Sequence, residues 1–328
     1  MSGARRGRLR AGSFAALRTP ALLALMLLGI ALLASGCGLG AGKAPRGVRL
    51  LVTRDFGAQT IRSWSAPKAQ GEETVMSLLT RNAKVATRYS GAFVQSIDGV
   101  AGGRENAQPV DWFYYVNGVE ASKGAATTRV HPGDYVWWDR HDWSQTDDVP
   151  AVVGSFPQPF LNGLDGKRLP VRVECVEVGG EACKKVTKQL REEGVPAGVS
   201  ALGGGGGKQT LRVLVAPWST LSREFALREL KEGPQASGVY VRFSGGGGTL
   251  ALLDARGRST QTLGAGAGLI AATRSGHGEE APVWAVTGTN AAGVDGAARA
   301  FGAASLRNRF AVAVAPGGAT LALPRPGA

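Results

Sequence analysis

The chain has 328 residues, a length for about two domains of ordinary size. Hydrophobic residues make up 44% and charged residues 19%, which excludes wholesale disorder. The 49 glycines are about twice the usual share but lack a Gly-X-Y period, so they mark loops rather than collagen. The net charge of +13 invites a nucleic-acid reading, and its location weakens that reading. Arg5, Arg6, Arg8, Arg10 and Arg18 supply five of those charges before residue 36, with no acid opposing them. An apolar run over residues 21–34 follows, and then Ser35-Gly36-Cys37. A basic start, an apolar core and small residues at its end describe an export signal. The run is shorter than the roughly 20 residues that a spanning helix needs.

The end of that run, Leu33-Ala34-Ser35-Gly36-Cys37, resembles the lipobox of bacterial lipoproteins. Leu33 stands one place further from the cysteine than in the common pattern, and Ala34 takes the position usually given to leucine. The resemblance implies that Cys37 is acylated and becomes the new N-terminus. Buried acyl methylenes, at about 0.8 kcal/mol each, would then hold the protein to the membrane from outside the cytoplasm. An ordinary secretory signal with an incidental cysteine and an uncleaved anchor are the alternatives. In either exported form, Cys175 and Cys183 are expected to pair as a disulfide, since thiols oxidise outside the cytoplasm. His131, His141 and His277 form no zinc-ligand set with them, and no metal site is expected.

After a tether over residues 37–46, the first region occupies residues 47–150. Its 13 basic and 12 acidic residues, counted with the tether, nearly cancel, so no nucleic-acid partner is expected. Val48, Leu50 and Val52 alternate as in a strand, and a hairpin returns through residues 60–65. Val75, Leu78 and Leu79 recur at helical spacing, with Glu72 and Glu73 at the N-terminal end, where the helix dipole favours acids. Residues 92–97 form a short strand closed by Asp98-Gly99. Residues 112–116 form an aromatic strand, and Asn117-Gly118 after it is a strong hairpin-turn signal. Residues 135–138 add another strand. Asp139, Asp142, Asp147 and Asp148 beyond it lack a calcium-loop spacing and are expected in a solvated loop, with His141 among them. The order predicts a β-grasp-like mixed sheet with one helix across a face.

Gly71-Glu72-Glu73-Thr74-Val75 with Leu78-Leu79, Phe93-Val94-Gln95-Ser96-Ile97-Asp98-Gly99 and Trp112-Phe113-Tyr114-Tyr115-Val116-Asn117-Gly118 occur in order. Gly124-Ala125 and Gly133-Asp134 with Trp137 complete the set. Together, over about residues 47–143, they resemble the transcobalamin-like C-terminal domain family. That resemblance implies a β-grasp-like domain of the kind found in bacterial surface lipoproteins and in animal cobalamin carriers. In the carriers a helical barrel supplies the other half of the vitamin site. No such barrel can be read here, so no cofactor is expected and cobalamin stands only as the ligand that the carriers suggest.

Neighbouring residues of a strand face opposite sides. Trp137 and Trp138 therefore cannot share one helical lid, nor can Tyr114 and Tyr115. A covered ring is favoured by several kcal/mol, at about 25 cal/mol per Å² over 150–250 Å². Something should therefore cover the second face: the rest of the chain, a ligand or a partner protein. Trp112, Tyr114, Tyr115, Trp137 and Trp138 are the candidate ligand-binding residues, stacking on a small molecule or a glycan.

Prolines and glycines in residues 151–166 read as a linker to a second region over residues 167–328. There residues 170–178 form a strand, and Ala182, Val186 and Leu190 mark a helix. Residues 211–215 form a strand and residues 219–231 a helix. Residues 239–243 and 250–253 form a hairpin around four glycines. Residues 283–286 are a buried strand, Asn290 caps a helix reaching Leu306, and residues 310–314 close the pattern. Gly264-Ala265-Gly266-Ala267-Gly268 reads as a Gly/Ala-rich helix start, since it lacks the full phosphate-loop spacing. The fold class is α+β, a β-grasp-like sheet followed by an α/β layered domain. No G-x-S-x-G or H-E-x-x-H occurs and no nucleophile is nominated, so no enzyme is expected. The functional expectation is an exported, lipid-anchored surface protein that captures a small molecule or glycan on its aromatic sheet. The alternative is a protein-interaction module of the cell envelope.

Overall fold

A computed structural model describes residues 47–65, 67–68, 71–91, 93–204, 207–279 and 281–327, and the export signal with Cys37 lies outside them. In the first region the apolar alternation produces β1 (Arg49–Arg54), which turns back into β2 (Gln59–Trp64). The helix α1 (Val75–Asn82) follows. Thr74 caps it: its hydroxyl accepts from the Ser77 N–H and the Ser77 hydroxyl accepts from the Thr74 N–H, a reciprocal capping box. Glu72 and Glu73 precede this cap rather than filling the first turn, and the buried Glu73 instead accepts from Arg81 Nε at 2.7 Å. Strands β3 (Val85–Arg88), β4 (Phe93–Ile97) and β5 (Val100–Ala101) form a small antiparallel sheet. β6 (Gly103–Glu105), β7 (Gln108–Val116), β8 (Val119–Glu120) and β9 (Tyr135–Asp142) then join the main one. Its order is β2-β1-β9-β7-β6, with β8 on β7, and only β1 and β9 run parallel. This is the mixed, helix-covered sheet of a β-grasp-like arrangement. The turn at Asn117-Gly118 has both φ angles positive (54° and 79°), as a tight hairpin requires.

The second region is built on β10 (Val171–Cys175), α2 (Glu181–Glu192), β11 (Ala197–Ala201) and β12 (Leu211–Val215). A hairpin sheet of β13 (Val241–Ser244), β14 (Thr249–Leu253) and β15 (Ser259–Leu263) follows. β16 (Gly268–Thr273), β17 (Val283–Gly288), α3 (Ala291–Ala300), β18 (Ala311–Val314) and β19 (Thr320–Leu323) complete it. The sheet order is β11-β10-β12-β17-β16-β18-β19, parallel through β17 and antiparallel beyond. Both faces are covered. Val213 and Val215 pack toward α2 and α3, while Leu214 between them packs toward the hairpin sheet. The chain is therefore α+β, and no helix among the described residues is long and apolar enough to cross a membrane.

Several local expectations give way to packing. Residues 151–166 do not link two separate bodies: Val152, Val153, Phe156 and Phe160 are buried, and the described residues of both regions belong to one compact unit. The helix expected over 219–231 is broken into Trp218–Leu221, a 3₁₀ turn Phe225–Leu227 and Arg228–Glu232. Asn290 caps α3 through the Gly293 N–H, but α3 ends at Ala300, and a separate turn, Ala303–Leu306, follows. The glycine run from Gly264 starts no helix; it turns into β16, whose Gly268 lies against α3. A Cβ on Gly293 would sit 2.1 Å from the Ala267 carbonyl oxygen, so glycine permits this close helix–sheet approach.

Candidate functional site

The aromatic strands divide as the strand period requires. Trp112, Tyr114 and Trp138 lie on the α1 side, where the Trp138 ring lies tilted by 30° against Tyr114 with centroids 4.9 Å apart. Tyr115 and Trp137 lie on the other side, with centroids 5.9 Å apart. That second face is covered by the chain itself. Phe310 inserts its ring edge-on at 5.5 Å from Tyr115 and 5.3 Å from Trp137, and Tyr240 and Leu253 join the same cluster. Trp112, Tyr115, Trp137 and Trp138 are buried and Tyr114 is half-buried, its hydroxyl spent on the Lys123 carbonyl and Thr128. The five rings are therefore core residues and form no open stacking platform. The sequence required a cover for the second face, and the second region supplies it.

The same face carries a buried polar network that takes Asp139 and His141 out of the expected solvated loop, while Asp147 and Asp148 do lie in a loop, Asp147 exposed and Asp148 half-buried. β9 continues through Asp139 and His141, both fully buried. The Asp139 carboxylate accepts from the Thr53 hydroxyl, from the Phe56 and Gly57 N–H groups at 3.0 and 2.8 Å, and lies 2.9 Å from His141 Nδ1. Thr53 in turn accepts from Trp137 Nε1 at 2.7 Å. His141 is sandwiched between Phe56 at 4.6 Å and Phe113 at 4.5 Å. The carboxylate thereby holds a turn in which Asp55, Phe56 and Gly57 all have positive φ, at 59°, 57° and 81°. Two consecutive non-glycine residues in the left-handed region cost about 1–3 kcal/mol each, and such strain persists where the surroundings over-determine it. Here the Phe56 ring is held at 5.2 Å from both Tyr240 and Phe310, the two rings of the second region.

This turn forms one wall of a cleft of about 590 Å³ between the two regions. Phe56, Val110 and Pro324 give it apolar surface. Asp55, Glu105 and Asp142 stand on the first-region side, and Arg256, Arg258 and Arg325 on the second-region side. Some of these charges are already satisfied. Glu105 is paired with the buried Arg140 at 2.6 Å. Asp254 takes Arg258 at 2.6 Å and accepts from the Arg256 and Arg258 N–H groups, both at 2.9 Å. Burial works to raise the Asp254 pKa, but these bonds outweigh it and hold the carboxyl below its ordinary value. The Asp55 carboxyl moves the other way: burial, with the nearby Asp139 and Glu105, raises it against Arg54 and Arg140. Arg256 and Arg325 make no ion pair among the described residues. Asp55 accepts from Gln59 Nε2 at 3.1 Å and lies 3.6 Å from Arg54 Nε, so the cleft sets carboxylates of the first region against two arginines of the second that have no ion-pair partner among the described residues.

Elsewhere along the junction, Glu120 accepts from the Val149 N–H at 2.8 Å, and burial pushes its pKa up to about 8, with Asp148 adding to the rise and Arg274 opposing it. Arg274 spans Asp148 at 2.7 Å and Glu229 at 3.8 Å. Cys175 and Cys183 are joined in a disulfide that ties the end of β10 to the first turn of α2. His131 lies 3.5 Å from Asp134, and His277 lies 5.0 Å from the Phe225 ring, so the three histidines do not meet. Among the described residues no group of three or more His, Cys, Asp or Glu side chains is placed to hold a metal ion. The cleft residues were not nominated from sequence. The repeated alternation Trp137, Asp139, His141 could have extended β9, but nothing local places residue 325 beside residue 55.

With this geometry in view, residues 72–142 match a family model described as a domain of unknown function, DUF4430. No curated protein matches the chain. A solved structure described as a putative metal binding protein from Ruminococcus gnavus is similar at 16% identity, over 30% of this chain and 97% of that one, with a TM-score of 0.24.

Proposed function

We propose that the protein is exported, held to the membrane by a lipid on Cys37, and captures a small polar molecule in the cleft between its two regions. The first part rests on the basic, apolar and small-residue order that ends at Cys37. The observation that carries the second is a cleft of about 590 Å³ lined by Asp55, Glu105 and Asp142 on one side and by Arg256 and Arg325 on the other, neither arginine making an ion pair among the described residues. Ligand sites commonly enclose about 300–1,000 Å³ and combine apolar walls with a few polar groups. A molecule carrying both an anionic and a cationic group would complement both walls. The transcobalamin-like resemblance of the first region belongs to this reading as a scaffold. Cobalamin is not part of it, because Phe310 and Tyr240 occupy the aromatic face. No catalytic role is proposed.

Calorimetric titration of the detergent-extracted full-length protein with glycylglycine, and with acetate and ethylamine as half-ligands, tests the cleft. Saturable binding of the zwitterion, weakened at least tenfold by Arg256→Gln with Arg325→Gln, is the expected result. Binding that ignores both substitutions, or no binding to any of the three, rules the cleft out. Metabolic labelling with palmitate, lost in Cys37→Ser, tests the anchor separately.

A second reading, interaction with an envelope protein, rests on a different feature. Tyr89 is 79% exposed and Phe93 36%, and their rings meet edge-on at 6.4 Å on the small sheet. Cross-linking in intact cells through a photoreactive residue at Tyr89 should trap one defined partner if this reading holds.

A further inference from the structure

A second groove, which shares no residue with the junction cleft, runs beside β2, the edge strand of the first sheet, and encloses about 490 Å³. Its far side is made by Ala303, Arg307 and Asn308, and by Glu193 at the end of α2. The groove is dominated by donors. Arg49 lies over the Tyr135 ring at 4.2 Å, and Arg307 is exposed beside it. Both guanidiniums act on the Tyr135 phenol, opposing the rise that burial imposes. Neither makes an ion pair with a described residue. Glu193, the one carboxylate lining the groove, is spent on Gln189 Nε2 at 3.5 Å and lies beyond ion-pair distance of both arginines.

The register of β2 explains the polar lining. Ser63 lies opposite Leu51 and Thr60 opposite Thr53, so their side chains share the Leu51 face and turn toward the second region. Arg62 lies opposite Val52 and faces the α1 side, where it pairs with Asp98 at 2.9 Å. Two unpaired guanidiniums, two hydroxyls and the Tyr135 ring therefore line one hollow, while the Trp64 ring, opposite Leu50, packs on the α1 side beneath Arg62. Guanidinium forks match the tetrahedral oxygens of phosphate, and hydroxyls can donate to the same oxygens.

We propose that this groove binds a phosphate group, with Arg49 and Arg307 as its charge partners and Thr60 and Ser63 as hydroxyl donors. The phosphate could be carried on a soluble polyol or on a lipid headgroup, and the test separates these sources. Titrations of the full-length protein in detergent would use inorganic phosphate, sn-glycerol 3-phosphate and phosphatidylglycerol, with phosphatidylcholine as the uncharged comparison. Saturable binding of glycerol phosphate is expected, tighter than that of inorganic phosphate and falling steeply with salt. Arg49→Gln and Arg307→Gln should each weaken it about tenfold, the loss of one charge-assisted contact, while Arg62→Gln leaves it unchanged. Phosphatidylglycerol binding with the same sensitivities, and none to free glycerol phosphate, would assign the lipid source. Binding that is indifferent to both arginines, equally weakened by Arg62→Gln, or absent from every arm overturns the proposal. None of these outcomes depends on the zwitterion titration of the junction cleft.

Discussion

Phe310 is the ring through which the second region enters the first, and replacing it with alanine should weaken the whole unit. The side chain is 2% exposed and meets four rings edge-on: Phe56 at 5.2 Å, Trp137 and His141 at 5.3 Å, and Tyr115 at 5.5 Å. A buried phenylalanine truncated to alanine costs about 3–5 kcal/mol, with the cost rising as the remaining cavity resists collapse. The surrounding rings are fixed by two sheets and by the Asp139 network, so collapse is restricted and the upper half of that range applies. Edge-to-face pairs contribute about 0.5–1.5 kcal/mol each beyond area, and this is already contained in the truncation cost. For a chain of this size each kcal/mol lowers the melting temperature by about 2–4 °C, so Phe310→Ala, at about 4–5 kcal/mol, should melt roughly 8–20 °C earlier. Urea unfolding followed by tryptophan fluorescence, with calorimetry on the same samples, measures both quantities. Phe56→Ala and the double variant complete a cycle in which the two losses should couple. A loss below about 1 kcal/mol would refute the junction as a shared core. So would two well-separated transitions in the unaltered protein.

The remaining predictions concern the polar groups of the junction. Glu120 holds its proton to about pH 8 in the folded chain but releases it near 4.5 when unfolded, so the folded state binds more protons between these values. Stability should therefore fall as pH rises from about 4.5 to 8, and Glu120→Gln should flatten that slope in urea titrations at several pH values. Asp139→Ala strands the Thr53 hydroxyl and the Phe56 and Gly57 N–H groups, at about 1–3 kcal/mol for each buried unpaired donor. A loss of at least about 3 kcal/mol is expected, and hydrogen exchange at Phe56 and Gly57 should accelerate. Gly57→Ala should cost several kcal/mol, because its φ is 81° and an added Cβ would lie 2.1 Å from the Asn308 carbonyl oxygen. An unchanged melting temperature in that variant would contradict the close approach of the two regions there.

Strand and helix identities were legible wherever the period was unambiguous. The alternation around Leu50 and Val52, the helical spacing of Val75, Leu78 and Leu79, and Val186 with Leu190 in α2 all appear as expected. Legibility failed where an element is buried on both faces. The run Gly268–Thr273 has no polar partner residues to reveal its period, and β16 is lined by core on each side. It failed again where proline and glycine suggested a linker, because residues such as Phe156 and Phe160 reveal their burial only through the distant Trp284 and Phe301.

By itself the sequence determined that Trp137 and Trp138 face opposite sides and that one helix could not cover both, since strand geometry alternates whatever surrounds it. Which body covers the second face was left open, because that depends on contacts between residues far apart in the chain. Tertiary structure decided it in favour of Phe310 and Tyr240, and in doing so moved the candidate binding surface off the aromatic sheet. The polar grooves that remain at the edges of the junction bring together residues such as Asp55 with Arg325, and Arg49 with Arg307, whose proximity no local pattern encodes.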